Sequence, residues 1–277
     1  MINWYKKWFL FFIGVPAIVW QLLFCYVPLL SVIVLSFSGT NFFDNFTLFF
    51  AWPYACVITR SLFLAFLNAT LCMLVAYPLA YFLIFCAGRL KNVLLFLVIL
   101  PFWTNFLVHM YAWMFVLDKH GIINSALRYL HIIDSPIHFL NTFPAVVLMM
   151  VYFYVPFMTL PLYATLERFD QRLFETSLDL GATWWDTIRY VVFPLSMPGL
   201  RTGFFLVFIP SFGEFVIPEF MGGNMHMYVG SLVSDFIIGS QTIGYGAAFT
   251  VMSSLSLFIV AVILYKLMGT YIVSGVE

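Results

Sequence analysis

Six stretches of this sequence stay apolar for about twenty residues or more, the length an α-helix needs to cross the ~30 Å hydrocarbon core of a bilayer. They run roughly from Trp8 to Phe37, Ser61 to Cys86, Val93 to Leu117, Phe143 to Leu166, Pro198 to Phe220 and Tyr245 to Met268. Strands of a membrane barrel would alternate apolar and polar residues over about ten positions; these runs are continuous. Charged residues make up 9% of the chain and hydrophobic ones 64%, against about a quarter charged in soluble domains. Too little polar surface remains to cover a water-soluble globule. The fold class expected is an all-α membrane protein with six transmembrane helices. Pro16 and Pro28 predict a kink or tilted entry in the first. That run continues past Pro28 without a small-residue cleavage site, so it reads as an uncleaved helix rather than a signal peptide.

Lysine and arginine set the orientation. With the N-terminus in the cytoplasm, Lys6, Lys7, Arg89, Lys91, Arg168, Arg172, Arg189, Arg201 and Lys266 fall inside or at the inner edge, and Arg60, Lys119 and Arg128 outside. This positive-inside bias places both termini in the cytoplasm. It leaves one long cytoplasmic loop, about 167–197, and outer loops near 38–60, 118–142 and 221–244. Twelve basic and twelve acidic residues cancel, which points to no polyanionic partner and no nucleic acid. The cysteines (Cys25, Cys56, Cys72, Cys86) are scattered without metal-ligand spacing and read as small hydrophobes. The outer-loop histidines His120, His131, His138 and His226 read as solvated surface. Asn45 and Thr47 form a glycosylation sequon that matters only in a secretory pathway.

The cytoplasmic loop reads as two short helices joined at Gly181, which is placed to end the first in a left-handed conformation. Phe169, Leu173, Ser177 and Leu180 share one face of that helix, while Arg168, Arg172, Glu175 and Asp179 form a charged side. Thr183 and Asp186 are spaced as a capping pair. Trp184, Trp185, Ile188, Val191 and Val192 recur at helical spacing, and Pro194 is expected to stop the second helix. Such a pair suits docking on a partner protein, and equally suits lying on lipid.

From Glu175 to Pro198 the loop resembles the EAA motif of ABC importer permeases, E-A-A-x-x-x-G-A followed by an apolar helix and L-P-x-x-x-P. Glu175, Gly181, Ala182, Pro194 and Pro198 fall in register; Thr176 and Ser177 replace the alanines and Phe193 the leucine. The segments 101–113, 152–163 and 206–223 are similar to spermidine/putrescine permeases, and the likeness covers about residues 60 to 250. It is nearest to the first permease of the polyamine operon. The resemblance implies the type I importer permease (MetI-like) fold and a coupling loop seated on a cytoplasmic ATPase, through Glu175, Asp179, Gly181, Ala182 and Pro194. It also implies a second permease, two ATPase copies, a periplasmic polyamine-binding protein and the bacterial inner membrane. The sequence has no G-x-x-x-x-G-K-[ST] phosphate loop, so ATP and magnesium belong to the separate ATPase, and no cofactor is expected in this chain. The layout expected is a first helix and outer loop (1–60), a permease core (61–268) and a cytoplasmic tail (269–277).

Glu214 lies in the apolar fifth run, where an ionised carboxylate costs a few kcal/mol or more unless it faces water or a partner. Pro210, Gly213 and Pro218 interrupt the helix around it, and broken helices mark pathways. No basic residue within the spans from the third onward offers a partner. The expectation is a wet cavity; the competing one is a structural bond to a neighbouring helix or second permease. Glu219, near the outer end, is a weaker pathway candidate. Polyamines are flexible polycations that carboxylates and aromatic faces can hold, so Trp103, Tyr111 and Trp113 join the candidates, with Asn105 as a polar group needing a hydrogen bond. The acidic pair favours a cationic cargo over sulfate. Ferric iron, sulfate or amino-acid permeases of the same fold remain open, as does a stand-alone secondary transporter, although six spans are few for one. No H-E-x-x-H or G-x-S-x-G supports an enzyme.

Overall fold

Prolines, glycines and capping side chains, more than apolarity, decide where the helices of this chain bend and end. The computed structural model describes residues 2–38, 45–46, 49, 51–223, 226–239 and 242–273. Thr47 of the sequon, residues 274–277 of the expected tail and the side chains of Lys6 and Lys7 lie outside the described residues.

The first run is helical throughout, as α1 (Ile2–Gln21), a π-helical turn (Leu22–Tyr26) and α2 (Val27–Ser36). The second, α3 (Trp52–Tyr81), starts ahead of the expected Ser61 and closes in another π-turn (Phe82–Cys86). Polar residues near its start, Arg60 among them, shorten the apolar run without breaking the helix.

The third run is not one straight helix. α4 (Lys91–Ile99) passes into a 3₁₀ turn (Leu100–Trp103) and α5 (Phe106–Leu117) follows. The segments Gly88–Trp103 and Phe106–Tyr129 meet at 96°. Pro101 brings no N–H to the ladder, Thr104 and Asn105 are extended, and Asn105 Oδ1 accepts from Leu107 N at 2.8 Å to start the new helix. Next come α6 (Ile122–Tyr129) and α7 (Phe143–Glu167), the latter matching the fourth run.

The fifth run corrects the expectation for Pro194. After α8 (Gln171–Asp179), the chain is helical from Trp184 to Phe212 as α9 (Trp184–Thr187), a π-turn (Ile188–Val192) and α10 (Phe193–Phe212). Pro194 stands in the first turn after the π-turn, as Pro28 does after the first one. The wider turn accommodates a ring that would strike a carbonyl four residues back in a regular helix. The run then breaks at Gly213 and resumes as α11 (Val216–Gly222). α12 (Val229–Ser234) ends in a π-turn (Asp235–Gly239), and α13 (Ile243–Val273) carries the last run into the region expected as tail. Among the described residues five helices are long and apolar enough to cross a membrane, or six if the bent pair is one span.

The chain forms two units. In the unit of Val57–Ser231 with Leu257–Glu277, α7 packs along α10. Gly199 and Gly203, four residues apart on α10, permit the close approach: a Cβ at Gly199 would stand 2.7 Å from Pro161 O, and one at Gly203 3.0 Å from Met158 O. This is small-residue packing, by which membrane helices associate without a hydrophobic driving force. Asn68 of α3 donates from Nδ2 to Ser211 Oγ of α10 at 2.8 Å and accepts from Cys72 Sγ at 3.6 Å, all three buried. The core toward the α8 end holds Ala80, Leu83, Leu162, Leu166, Val192 and Leu200. In the unit of Met1–Cys56 with Leu232–Ser256, the rings of Tyr54, Phe236 and Phe249 cluster with centroids 6.0–6.4 Å apart. Asn45 Nδ2 donates to Ser36 O and Ser38 O at 3.1 Å each. The first span exposes Ile18, Val19, Trp20, Leu22 and Phe24, which spread around its circumference, as a lipid- or helix-facing segment does.

Candidate functional site

The segment from Asp170 to Val192 is built by local signals. Asp170 caps α8 by accepting from Arg172 N at 3.0 Å. At the other end Gly181 has φ +87°. Gly181 N donates to Leu178 O at 2.9 Å and Ala182 N to Ser177 O at 3.1 Å, the bond pair of a Schellman cap. Thr183 and Asp186 form a reciprocal capping box for α9. Ser177 Oγ and Thr187 Oγ1, 2.9 Å apart, tie the two helices together.

The face expected to pack does so only in part. Phe169 and Phe174 meet the ring of Phe85, with centroids 6.2 and 5.5 Å away. That tether turns Leu173 and Leu180 outward, leaving Leu180 83% exposed. Trp184 Nε1 donates to Tyr81 OH at 3.0 Å, which pins α9 to α3. Glu175, Asp179, Gly181, Trp185 and Tyr190 remain exposed and Ala182 is half-buried. Pro194 is half-buried inside the continuous helix, away from that exposed tip. Lys91 Nζ meets Glu167 Oε1 at 3.0 Å, and Tyr163 OH donates to the same oxygen at 3.1 Å, so α4 is tied to the end of α7.

The second group of candidates lies at the two helix breaks, and both breaks face α7. Phe102 packs against Phe153 and Phe157 with centroids 5.6 and 4.5 Å away, and Phe106 against Phe153 at 4.9 Å. Next to them Tyr154 OH donates to Glu214 Oε2 at 3.0 Å. Glu214 Oε1 accepts from Val216 N at 3.0 Å and Ile217 N at 3.4 Å, which starts α11. No basic residue pairs with Glu214 among the described residues, and Tyr154 of α7 supplies a bond to a neighbouring helix, the competing expectation for this carboxylate. Three neutral donors hold a half-buried Glu214, orienting it without cancelling its charge.

The other candidates are not gathered around it. Trp103 is 75% exposed and meets Phe96 edge-on. Asn105 spends its carbonyl on the α5 cap. Tyr111 is exposed and meets Phe220 of α11, beside the exposed Glu219. Trp113 packs on Tyr152 at 5.3 Å. A residue missed in the sequence joins the first break to α7: His109 Nδ1 is 2.8 Å from Tyr152 OH, and its Nε2 bonds Thr104 Oγ1. Its signal was a lone histidine one helical turn beyond Asn105.

Residues 74–272 match the family described as "Binding-protein-dependent transport system inner membrane component". The chain belongs to that family. It is 36% identical over 253 residues to the "Spermidine/putrescine transport system permease protein PotB" of Haemophilus influenzae, covering 87% of this chain and 88% of that one. To the protein of the same description in Escherichia coli K12 it is 34% identical over 243 residues, 84% and 88% of the two chains. A crystal structure of a bacterial ABC transporter that imports alginate superposes with a TM-score of 0.77 over 97% of both chains at 16% identity. That likeness concerns the fold, the importer-permease fold expected from the sequence. As a member of this family the chain is a multi-pass inner-membrane transport component that works with a binding protein.

Proposed function

We propose that this permease forms, with a second permease subunit, the passage for polyamines such as putrescine and spermidine delivered by a periplasmic binding protein. Its Asp170–Val192 segment docks on a cytoplasmic ATPase that holds ATP and magnesium, and both termini are cytoplasmic. The observation that carries the cargo reading is Glu214. A carboxylate has about four lone-pair sites; three neutral donors occupy Glu214, leaving one site and a full negative charge at a helix break within an apolar span. A passing ammonium compensates that charge, and an oxyanion would be repelled. The exposed ring of Trp103 offers a face to a second ammonium or to the methylene chain. The relatives' description as spermidine/putrescine permeases agrees with this chemistry.

The test is uptake of labelled putrescine and spermidine in a transport-deficient host expressing this permease with its partner subunits. Glu214→Gln removes the charge and keeps one carbonyl oxygen to accept from Val216 N and Ile217 N, while its amide NH2 donates to Tyr154 OH instead of accepting from it. Uptake is expected to fall at least about tenfold, the factor for losing a charge-assisted contact of about 1.5 kcal/mol, with the ATPase still pulled down. Uptake at the wild-type rate would make the carboxylate structural and remove the pathway assignment.

A further inference from the structure

Away from both helix breaks, α10 and α13 border a groove of about 590 Å³ lined by Pro198, Arg201, Thr202, Phe205, Leu206, Ile209 and Tyr265. It is an amphiphile's site in outline, with one charged end and apolar walls. Arg201 stacks over the ring of Tyr265 with its guanidinium 4.2 Å from the centroid, and Nη2 donates to Tyr265 O at 3.3 Å. Its Nε is enclosed without an acceptor, and no carboxylate pairs with it among the described residues. A guanidinium has five N–H donors, so one backbone acceptor and one ring leave its charge largely unanswered within a membrane-spanning helix.

The direction of the side chain locates the charge. Helical side chains lean toward the N-terminus of their helix, and Arg201 accordingly reaches the far end of α13, where a Cβ at Gly269 would stand 3.4 Å from Nη2. This is snorkelling toward the membrane face that carries the α8–α9 segment. From there the walls run along α10 to Ile209, eight residues or ~12 Å deeper at ~1.5 Å per residue. Leu206 and Ile209 are about half-exposed there.

We propose that this groove binds an anionic phospholipid of that leaflet, its phosphate at Arg201 and an acyl chain along Phe205, Leu206 and Ile209. The charge calls for an anion and the apolar walls for a hydrocarbon tail. A free phosphate would satisfy only the first, and a zwitterionic lipid would answer the charge less well.

Native mass spectrometry of the purified transporter complex, titrated in detergent with phosphatidylglycerol or phosphatidylcholine, reads the site without reference to transport. The wild type is expected to retain phosphatidylglycerol in preference. Arg201→Gln should lower that retention at least about tenfold, the ratio for one charge-assisted contact. Leu206→Trp, which fills the groove with the charge intact, should lower it too, and it decides the matter if Arg201→Gln fails to assemble. Millimolar inorganic phosphate should not displace the lipid. Three results overturn the proposal: no anionic preference in the wild type, as when a carboxylate of another subunit covers Arg201; undiminished retention in both variants; or displacement by phosphate alone.

Discussion

Replacing Gly181 isolates the backbone geometry of the α8–α9 turn. Its φ of +87° lies in the left-handed region, and nothing stands within 4 Å of where a Cβ would be. The cost of a side chain is therefore conformational rather than a clash. An L-residue in this region costs about 1–2 kcal/mol, with β-branched residues at the upper end and asparagine tolerating it best. At about 1.4 kcal/mol per factor of ten, Gly181→Val lowers the population of the observed turn by up to about thirtyfold. Gly181→Asn should change it by only a few-fold. If the ATPase docks on this turn, its apparent affinity falls with the fraction of competent turn. Titrating purified ATPase against permease complexes carrying each variant measures this directly. The expected order is wild type, then Asn, then Val. Wild-type affinity for Gly181→Val would refute docking through this turn. Equal weakening by Asn and Val would refute the φ argument and point to side-chain bulk.

Three further substitutions test the packing. Gly199→Val drives a side chain against Pro161 O and should cost at least the ~1–3 kcal/mol of an overpacked core, read as a lower melting temperature in detergent; wild-type melting would contradict the close approach. Asn68→Leu leaves Ser211 Oγ without the amide that donates to it and Cys72 Sγ with only its longer contact to Val151 O at 3.9 Å, a loss of about 1–3 kcal/mol. Adding Ser211→Ala should recover part of it, and an additive double variant would deny the coupling. Glu214→Leu removes the acceptor for Val216, Ile217 and Tyr154, so it should melt lower than Glu214→Gln by roughly 1–3 kcal/mol; equal melting would mean those bonds contribute nothing.

The sequence discloses what is local. Apolar length predicts the number of crossings because lipid demands about twenty residues per helix. Gly181 and the Thr183–Asp186 pair were legible because each device acts within a few residues. Helix ends were less legible, since helicity and apolarity are different properties: α3 begins at Trp52 while its apolar run begins near Ser61. Pro194 misled because a π-turn absorbs its ring, and no single residue announces a π-turn. Gly199 and Gly203 carried a readable small-residue spacing, but their partner on α7 did not. Glu214 stood out as an intramembrane carboxylate, whereas its donor Tyr154 lies sixty positions away and nothing local links the two. The bend at Thr104 and Asn105 was foreshadowed by Pro101 and by an amide that needed a hydrogen bond; its 96° angle was not.

The central claim is that this chain carries polyamines under the control of a separate ATPase, and reconstitution tests it most directly. The permease pair and ATPase are placed in liposomes with ATP and magnesium, and hydrolysis is followed together with accumulation of labelled spermidine or putrescine. The account predicts that polyamine-loaded binding protein raises ATP hydrolysis and drives accumulation, and that binding protein loaded with no polyamine does neither. Accumulation without ATPase or binding protein, or hydrolysis driven by an anionic cargo and not by a polyamine, would contradict it.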